Sequence, residues 1–244
     1  MQEKPRGAAR EYSEHVCDVI IIGAGAAGLR TAIELVGQQV SCLVVGKRRH
    51  GDAHTTMAAG GINAALGSLD PEDRWEVHAA DTIGEGHHVC QPDAVELLAC
   101  NAPAHIEELV AWGCPFSRTE SGEINQRYFG AQTYRRTCFV GDTTGDSILK
   151  TLVERAEKLQ VPHMENVFIT EILVQDGRAV GALGFERESG EYHLFRARAV
   201  VLAAGGYTAL YGRSSSRHDE NVGDATGLAY AAGAVLRDME FVQF

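Results

Sequence analysis

The run Val16 to Ile22 (VCDVIII) is apolar at nearly every position and ends on glycine, the pattern of a strand covered on both faces of a parallel sheet. Behind it, Leu29, Ala32, Ile33 and Val36 recur at helical spacing between Ala26 and Gly37, and a glycine at that end can close a helix. A second apolar run, Val40 to Val45 (VSCLVV), completes a βαβ unit, for which a right-handed crossover is expected. The same periodicity predicts helices over 71–83, 93–112 and 146–159. In the second of these Val95, Leu98, Ala102, Ile106 and Leu109 share one face, and Pro103 is placed to kink it. Beyond Pro162, strand-like runs at 166–175, 179–187 and 191–196 are separated by Asp176-Gly177 and Ser189-Gly190, turn signals that predict an antiparallel three-stranded meander. Ala199 to Ala203 reads as a further buried strand running into Gly205-Gly206, and Asp224 to Ala232 as a small-residue helix.

With 244 residues and 45% apolar content, the chain can bury a core, and the order of elements predicts an α/β fold. Residues 1–15 are polar and mixed in charge, an extended or disordered lead, and 16–244 form the expected domain. A formal net charge of −11 argues against a nucleic-acid partner, whose phosphates such a surface repels. A buried anionic ligand is still allowed, because local backbone dipoles outweigh distant surface charge. No apolar run that could serve as a signal-peptide core follows the polar lead, and none reaches eighteen residues, so cytoplasmic placement is expected, with no direct membrane insertion. The six cysteines are scattered without ligand spacing, which predicts reduced thiols and no metal site.

Chemistry enters at the first strand–helix junction. Gly23-Ala24-Gly25-Ala26-Ala27-Gly28 is a GxGxxG turn: the first glycine permits the tight turn, the second lets backbone approach a pyrophosphate, and the third lets helix and strand pack closely. Placed between a strand and a helix, it points to dinucleotide binding rather than to a merely structural turn. A nicotinamide-binding unit normally carries an acid at the end of its second strand. Here that position reads Val45-Gly46-Lys47, which disfavours NAD and leaves FAD. The loop from Lys47 to Gly61 has no periodicity and is rich in His, Thr, Ala and Gly, as functional loops are.

Within that loop His54 to Gly67 reads HTTMAAGGINAALG, which resembles a segment of the flavoprotein subunits of succinate dehydrogenase and fumarate reductase. The resemblance implies that FAD is bound covalently through His54, with Lys47, Thr55, Ala59, Gly60 and Gly61 also lining the cofactor. Further segments match in order. Pro115-Phe116-Ser117-Arg118-Thr119-Glu120 with Gln126-Arg127 and Phe129-Gly130 resembles the dicarboxylate side of the family's flavin, where Phe116 packs against substrate. Asp142-Thr143-Thr144-Gly145 resembles a segment that packs near the cofactor. Ala203-Ala204-Gly205-Gly206 resembles the second FAD-contact turn, and Gly223-Asp224-Ala225 a Gly-Asp-Gly motif whose aspartate contacts FAD.

The sequence departs from that family at two places: Ala59 stands where a polar side chain is usual, and Asp146 where a histidine is common. Its last residues, Met239 to Phe244, resemble the segment that runs into the family's substrate-binding histidine, capping domain and proton-carrying arginine, so the catalytic residues themselves are unassigned here. The expectation is a piece of a longer flavoprotein, or one half of a split one, with negligible turnover by residues 1–244 alone. For the complete protein the resemblance implies hydride transfer between a C4-dicarboxylate and FAD, with electrons leaving to an iron–sulfur subunit of a membrane-associated complex. Such a protein is peripheral at the inner face of the membrane through its partner subunits. An L-aspartate oxidase or soluble fumarate reductase with noncovalent flavin, and a non-catalytic flavin-binding module, are the alternatives.

Overall fold

A computed structural model describes residues 12–215, 217 and 219–242, and the chain divides into two compact units, one of residues up to His54 and from Val153 onward, the other Thr55–Leu152. In the first, strand β1 (Tyr12–Ile22), helix α1 (Ala26–Gly37) and strand β2 (Cys42–Val45) form the βαβ unit, with β1 and β2 parallel from Val19↔Cys42 to Ile22↔Val45. Ile20, Ile21 and Val44 are fully buried, which is why the run shows no polar alternation. Leu29, Ala32 and Ile33 are among the buried positions of α1.

In the second unit, β3 (Ile62–Asn63), β4 (Gln126–Arg127) and β5 (Thr137–Cys138) make a small antiparallel sheet in the order β3-β5-β4. Helices α2 (Trp75–Glu85) and α3 (Pro92–Ala111) pack through Ala79, Val95 and Ala99. Helix α3 runs on through Pro103. Helix α2 starts at Trp75 rather than near Pro71, because the residues before it are held in another way. Asp73 and Arg136, each 1% exposed at the side chain, form an ion pair at 2.8 Å, and Arg136 reaches Asp81 at the same distance. Burial pushes the Asp73 carboxyl above its usual range even beside the guanidinium, and burial likewise pushes the Cys138 thiol up to about 12.

Helix α4 (Thr144–Lys158) leads back to the first unit, followed by β6 (His163–Met164), β7 (Val167–Gln175), β8 (Arg178–Glu186), β9 (Tyr192–Leu202) and helix α5 (Asp224–Ala231). The six-stranded sheet has the order β6-β2-β1-β9-β8-β7; its β6-β2-β1-β9 part is parallel and β9-β8-β7 antiparallel. The α/β class with a meander is therefore borne out, with one correction. The runs at 191–196 and 199–203 are one strand, β9, which closes the meander on one side and pairs with β1 on the other. Arg196 and Arg198 suggest a break in the sequence, yet they stand on the exposed face. Arg196 pairs with Glu14, and Arg198 lies 3.4 Å from Asp18, both on β1; the inward alternation continues through Phe195 and Ala197. The same extension makes Tyr12 to His15 part of β1, paired with Tyr192 to Phe195, so the polar lead contributes strand from Tyr12 onward. The sheet's core gathers Ile20, Ile22, Val45, Val167, Ile169 and Phe195.

Candidate functional site

Strand β1 lies between β2 and β9, both parallel to it, so the carboxyl ends of the three strands lie side by side. Open α/β sheets place ligands at that edge. The Gly23–Gly28 turn occupies it. Gly23 N–H donates to Val45 O at 2.9 Å, and Ala203 N–H donates to Ile22 O at 2.8 Å, which brings the ends of β2 and β9 to the turn. Gly23 has φ +115°, and a Cβ there would overlap the Ala203 carbonyl; one on Gly28 would overlap the Gly23 carbonyl. No side chain fits at either position. Helix α1 is capped by Gly25 without a side-chain hydrogen bond and has no acid in its first turn, so its positive end faces the turn unopposed by any carboxylate of that turn.

Other predicted residues gather at the same end of this unit. Gly206 N–H donates to Asn221 Oδ1 at 3.1 Å, and a Cβ on Gly205 would stand 2.7 Å from that oxygen. This holds the Ala204-Gly205-Gly206 turn against the approach to α5. Lys47 Nζ and Asp224 Oδ2, both predicted to contact cofactor, pair with each other at 2.6 Å. Asp224 opens α5, where a carboxylate suits the helix dipole.

His54 begins a 3-10 turn, His54–Met57. Its Nδ1 is buried and finds no hydrogen-bond partner among the described residues; the facing carboxylate oxygen, Glu220 Oε2, is 4.0 Å away. Glu220 is 6% exposed. Arg217 Nε lies 3.1 Å from Glu220 Oε2 and Arg48 Nε 3.9 Å from Oε1. Asp52 joins the two arginines at 2.8 and 3.0 Å, and the Arg217 hydrogen bond holds its carboxyl below the usual aspartate range. Arg48 also pairs with Asp219. Sequence reasoning passes over all five of these charged residues. They come from two stretches distant along the chain with no common spacing, so no motif announces them.

The remaining candidates belong to the second unit. The carbonyl of Gly60 accepts from Arg127 Nη2 at 2.7 Å, a Cβ on Gly60 would stand 2.9 Å from the Phe129 ring, and Arg127 lies over the Phe139 ring at 4.3 Å. Gly145 N–H donates to Ala58 O at 2.7 Å, and a Cβ there would overlap the Thr55 carbonyl. The Gln126-Arg127, Phe129 and Thr144-Gly145 segments thus clasp the backbone of Thr55 to Gly61. Ala59 is exposed, and Phe116, at 4%, is buried. All six cysteines are free thiols, and no group of three His, Cys, Asp or Glu suited to a metal occurs among the described residues.

The cradle at Gly23 and Gly28 that no Cβ can enter, the head of α1 without a side-chain cap and the His54 Nδ1 without a hydrogen-bond partner among the described residues fit a pyrophosphate-bearing dinucleotide. They define an α/β dinucleotide-binding protein. The chain belongs to the FAD binding domain family, whose pattern matches residues 18–244. It is 41% identical to one subunit of the fumarate reductase (CoM/CoB) of Methanothermobacter marburgensis, over 96% of this chain and 43% of that protein. It is also 41% identical to the succinate dehydrogenase flavoprotein subunit of Rickettsia conorii, over 94% of this chain and 40% of that one. Among solved structures, Mycobacterium smegmatis Sdh1 superposes with TM-score 0.90 at 40% identity, covering 95% of this chain and 40% of that one. The E. coli quinol fumarate reductase FrdA gives 0.89 at 34%, covering 95% and 39%. The chain therefore spans about 40% of the length of the curated relatives it matches.

Proposed function

We propose that residues 16–244 are the FAD-binding domain of a flavoprotein that interconverts succinate and fumarate, with FAD joined to His54. Electrons pass to an iron–sulfur subunit of a membrane-associated complex. The observation that carries this reading is His54: it heads the HTTMAAGGINAALG segment and keeps a buried ring nitrogen without a hydrogen-bond partner among the described residues. Similarity to succinate dehydrogenase and fumarate reductase flavoproteins along nearly the whole chain supports it. No described helix is long and apolar enough to cross a membrane.

When bound, FAD supplies the two-electron chemistry that no side chain offers. The protein's part is binding and orientation. The backbone amides of Gly23 to Gly28, with the head of α1, hold the pyrophosphate. Lys47 and Asp224 exchange their mutual ion pair for cofactor contacts, the cation toward phosphate and the carboxylate toward hydroxyl groups. The Ala204-Gly205-Gly206 turn gives a second backbone surface free of side-chain bulk. By the resemblance of their segments, Thr55, Ala59, Gly60 and Gly61 would contact the cofactor and Phe116 the substrate.

The test is anaerobic addition of succinate to the flavoprotein purified in its cellular assembly. Succinate is expected to bleach the oxidised-flavin absorbance, fumarate to restore it, and L-aspartate to leave it unchanged. Bleaching by aspartate and not by succinate would replace this reading with an amino-acid oxidase.

A further inference from the structure

We propose that Glu220 is the positioning residue for the bond between His54 and the flavin; this rests on the reading of His54 given above. Glu220 is 6% exposed. The Nδ1 of His54 is buried without a hydrogen-bond partner among the described residues, and Glu220 Oε2, which also takes the Arg217 ion pair, faces it at 4.0 Å. That separation is about 1 Å beyond an ordinary hydrogen bond, within reach of a small side-chain rotation. The carboxylate is held in place by Arg217 at 3.1 Å and Arg48 at 3.9 Å, and those arginines are fixed in turn by Asp52.

A carboxylate facing one ring nitrogen selects the tautomer that carries its proton on that side and leaves a lone pair on the other. Here the proton sits on Nδ1, toward Glu220, and Nε2 is left as the nucleophile. Attachment forms one C–N bond between Nε2 and the methyl carbon at C8 of the ring, and breaks one methyl C–H bond. Two protons and two electrons leave in balance: one proton from the methyl group, one from Nδ1, and the electron pair to an acceptor of the fumarate, quinone or dioxygen class. The imidazole is transiently cationic in this step. Glu220 stabilises that charge and stands where the Nδ1 proton departs. Without it, His54 would face two guanidinium groups, and the cation would be disfavoured.

The experiment follows covalent attachment in the protein as its gene encodes it, expressed in riboflavin-supplied cells. Wild type is compared with Glu220→Gln, Glu220→Ala and His54→Ser for total FAD, flavin retained in the acid precipitate, and melting temperature. The wild type should retain its flavin and His54→Ser should release it. Glu220→Gln should attach flavin at least about tenfold more slowly, with total FAD and melting temperature unchanged. Added formate should restore attachment in Glu220→Ala by standing in for the missing carboxylate. Wild-type attachment rates in both Glu220 variants would overturn the role of Glu220 and leave His54 as the attachment point. Loss of total FAD or of melting temperature, with no response to formate, would make Glu220 merely structural and equally overturn the proposal. Wild-type flavin wholly released by acid would overturn the reading of His54 itself.

Discussion

Gly28→Ala is expected to lower FAD affinity about a hundredfold, or ~2.7 kcal/mol, and to destabilise the sheet unit by ~1–3 kcal/mol. The added methyl would overlap the backbone carbonyl of Gly23, and a backbone atom cannot rotate aside as a side-chain end can. Helix α1 must therefore move away from β1, which carries the head of the helix away from the place where the pyrophosphate sits. Gly37→Ala is the matched control: it lies in the same helix, and a Cβ there meets nothing within 4 Å. It should remain within about 1 kcal/mol of wild type. Both effects are read by FAD titration and urea denaturation in a His54→Ser background, where binding is reversible. Equal affinities for the two variants would show that the glycine turn does not seat the cofactor.

Arg136→Met should be the most damaging single change in the second unit, costing about 3–5 kcal/mol. Arg136 is fully buried and joins Asp73 and Asp81; its loss leaves the Asp73 carboxylate, 1% exposed at the side chain, without a compensating charge. Asp81 suffers less, because it also accepts from Thr133 N–H and Oγ1 at 2.8 and 2.7 Å. Adding Asp73→Leu should recover a substantial part of the loss, since replacing a buried pair together is far milder than orphaning one partner. Arg196→Ala, at an exposed ion pair, should change stability by less than about 1 kcal/mol. Urea midpoints compare the three. An Arg136→Met variant as stable as wild type would mean that the buried ion network contributes nothing to this unit.

The parts of the fold that can be read from the chain are those in which burial imposes a period. Ile20 to Ile22 and Leu29 to Ile33 show their environments directly, because that end of β1 is covered on both faces and α1 on one, whereas Val16 is exposed. Strands β3, β4 and β5 have two residues each, too few to show any period. They are held by long-range pairing such as Ile62↔Cys138. Strand β9 reads as two segments at Arg196-Ala197-Arg198 because charge in a strand resembles a loop. The cross-strand partners Glu14 and Asp18 that make it tolerable lie on β1, near the start of the chain. The candidate site divides in the same way. The backbone-based parts at Gly23, Gly28 and Gly205 are legible because a Cβ at each would crowd a neighbouring oxygen. The charged setting of His54 is not, since Arg48, Asp52, Arg217 and Glu220 meet only when the segments before His54 and before α5 are brought together.

The mass of the peptide bearing residue 54, taken from acid-denatured protein, tests most directly whether this fold carries its flavin there. The predicted result is that peptide increased by FAD less two hydrogen atoms, with the modification assigned by fragmentation to the imidazole of His54. An unmodified peptide, with all flavin free in the supernatant, would contradict it.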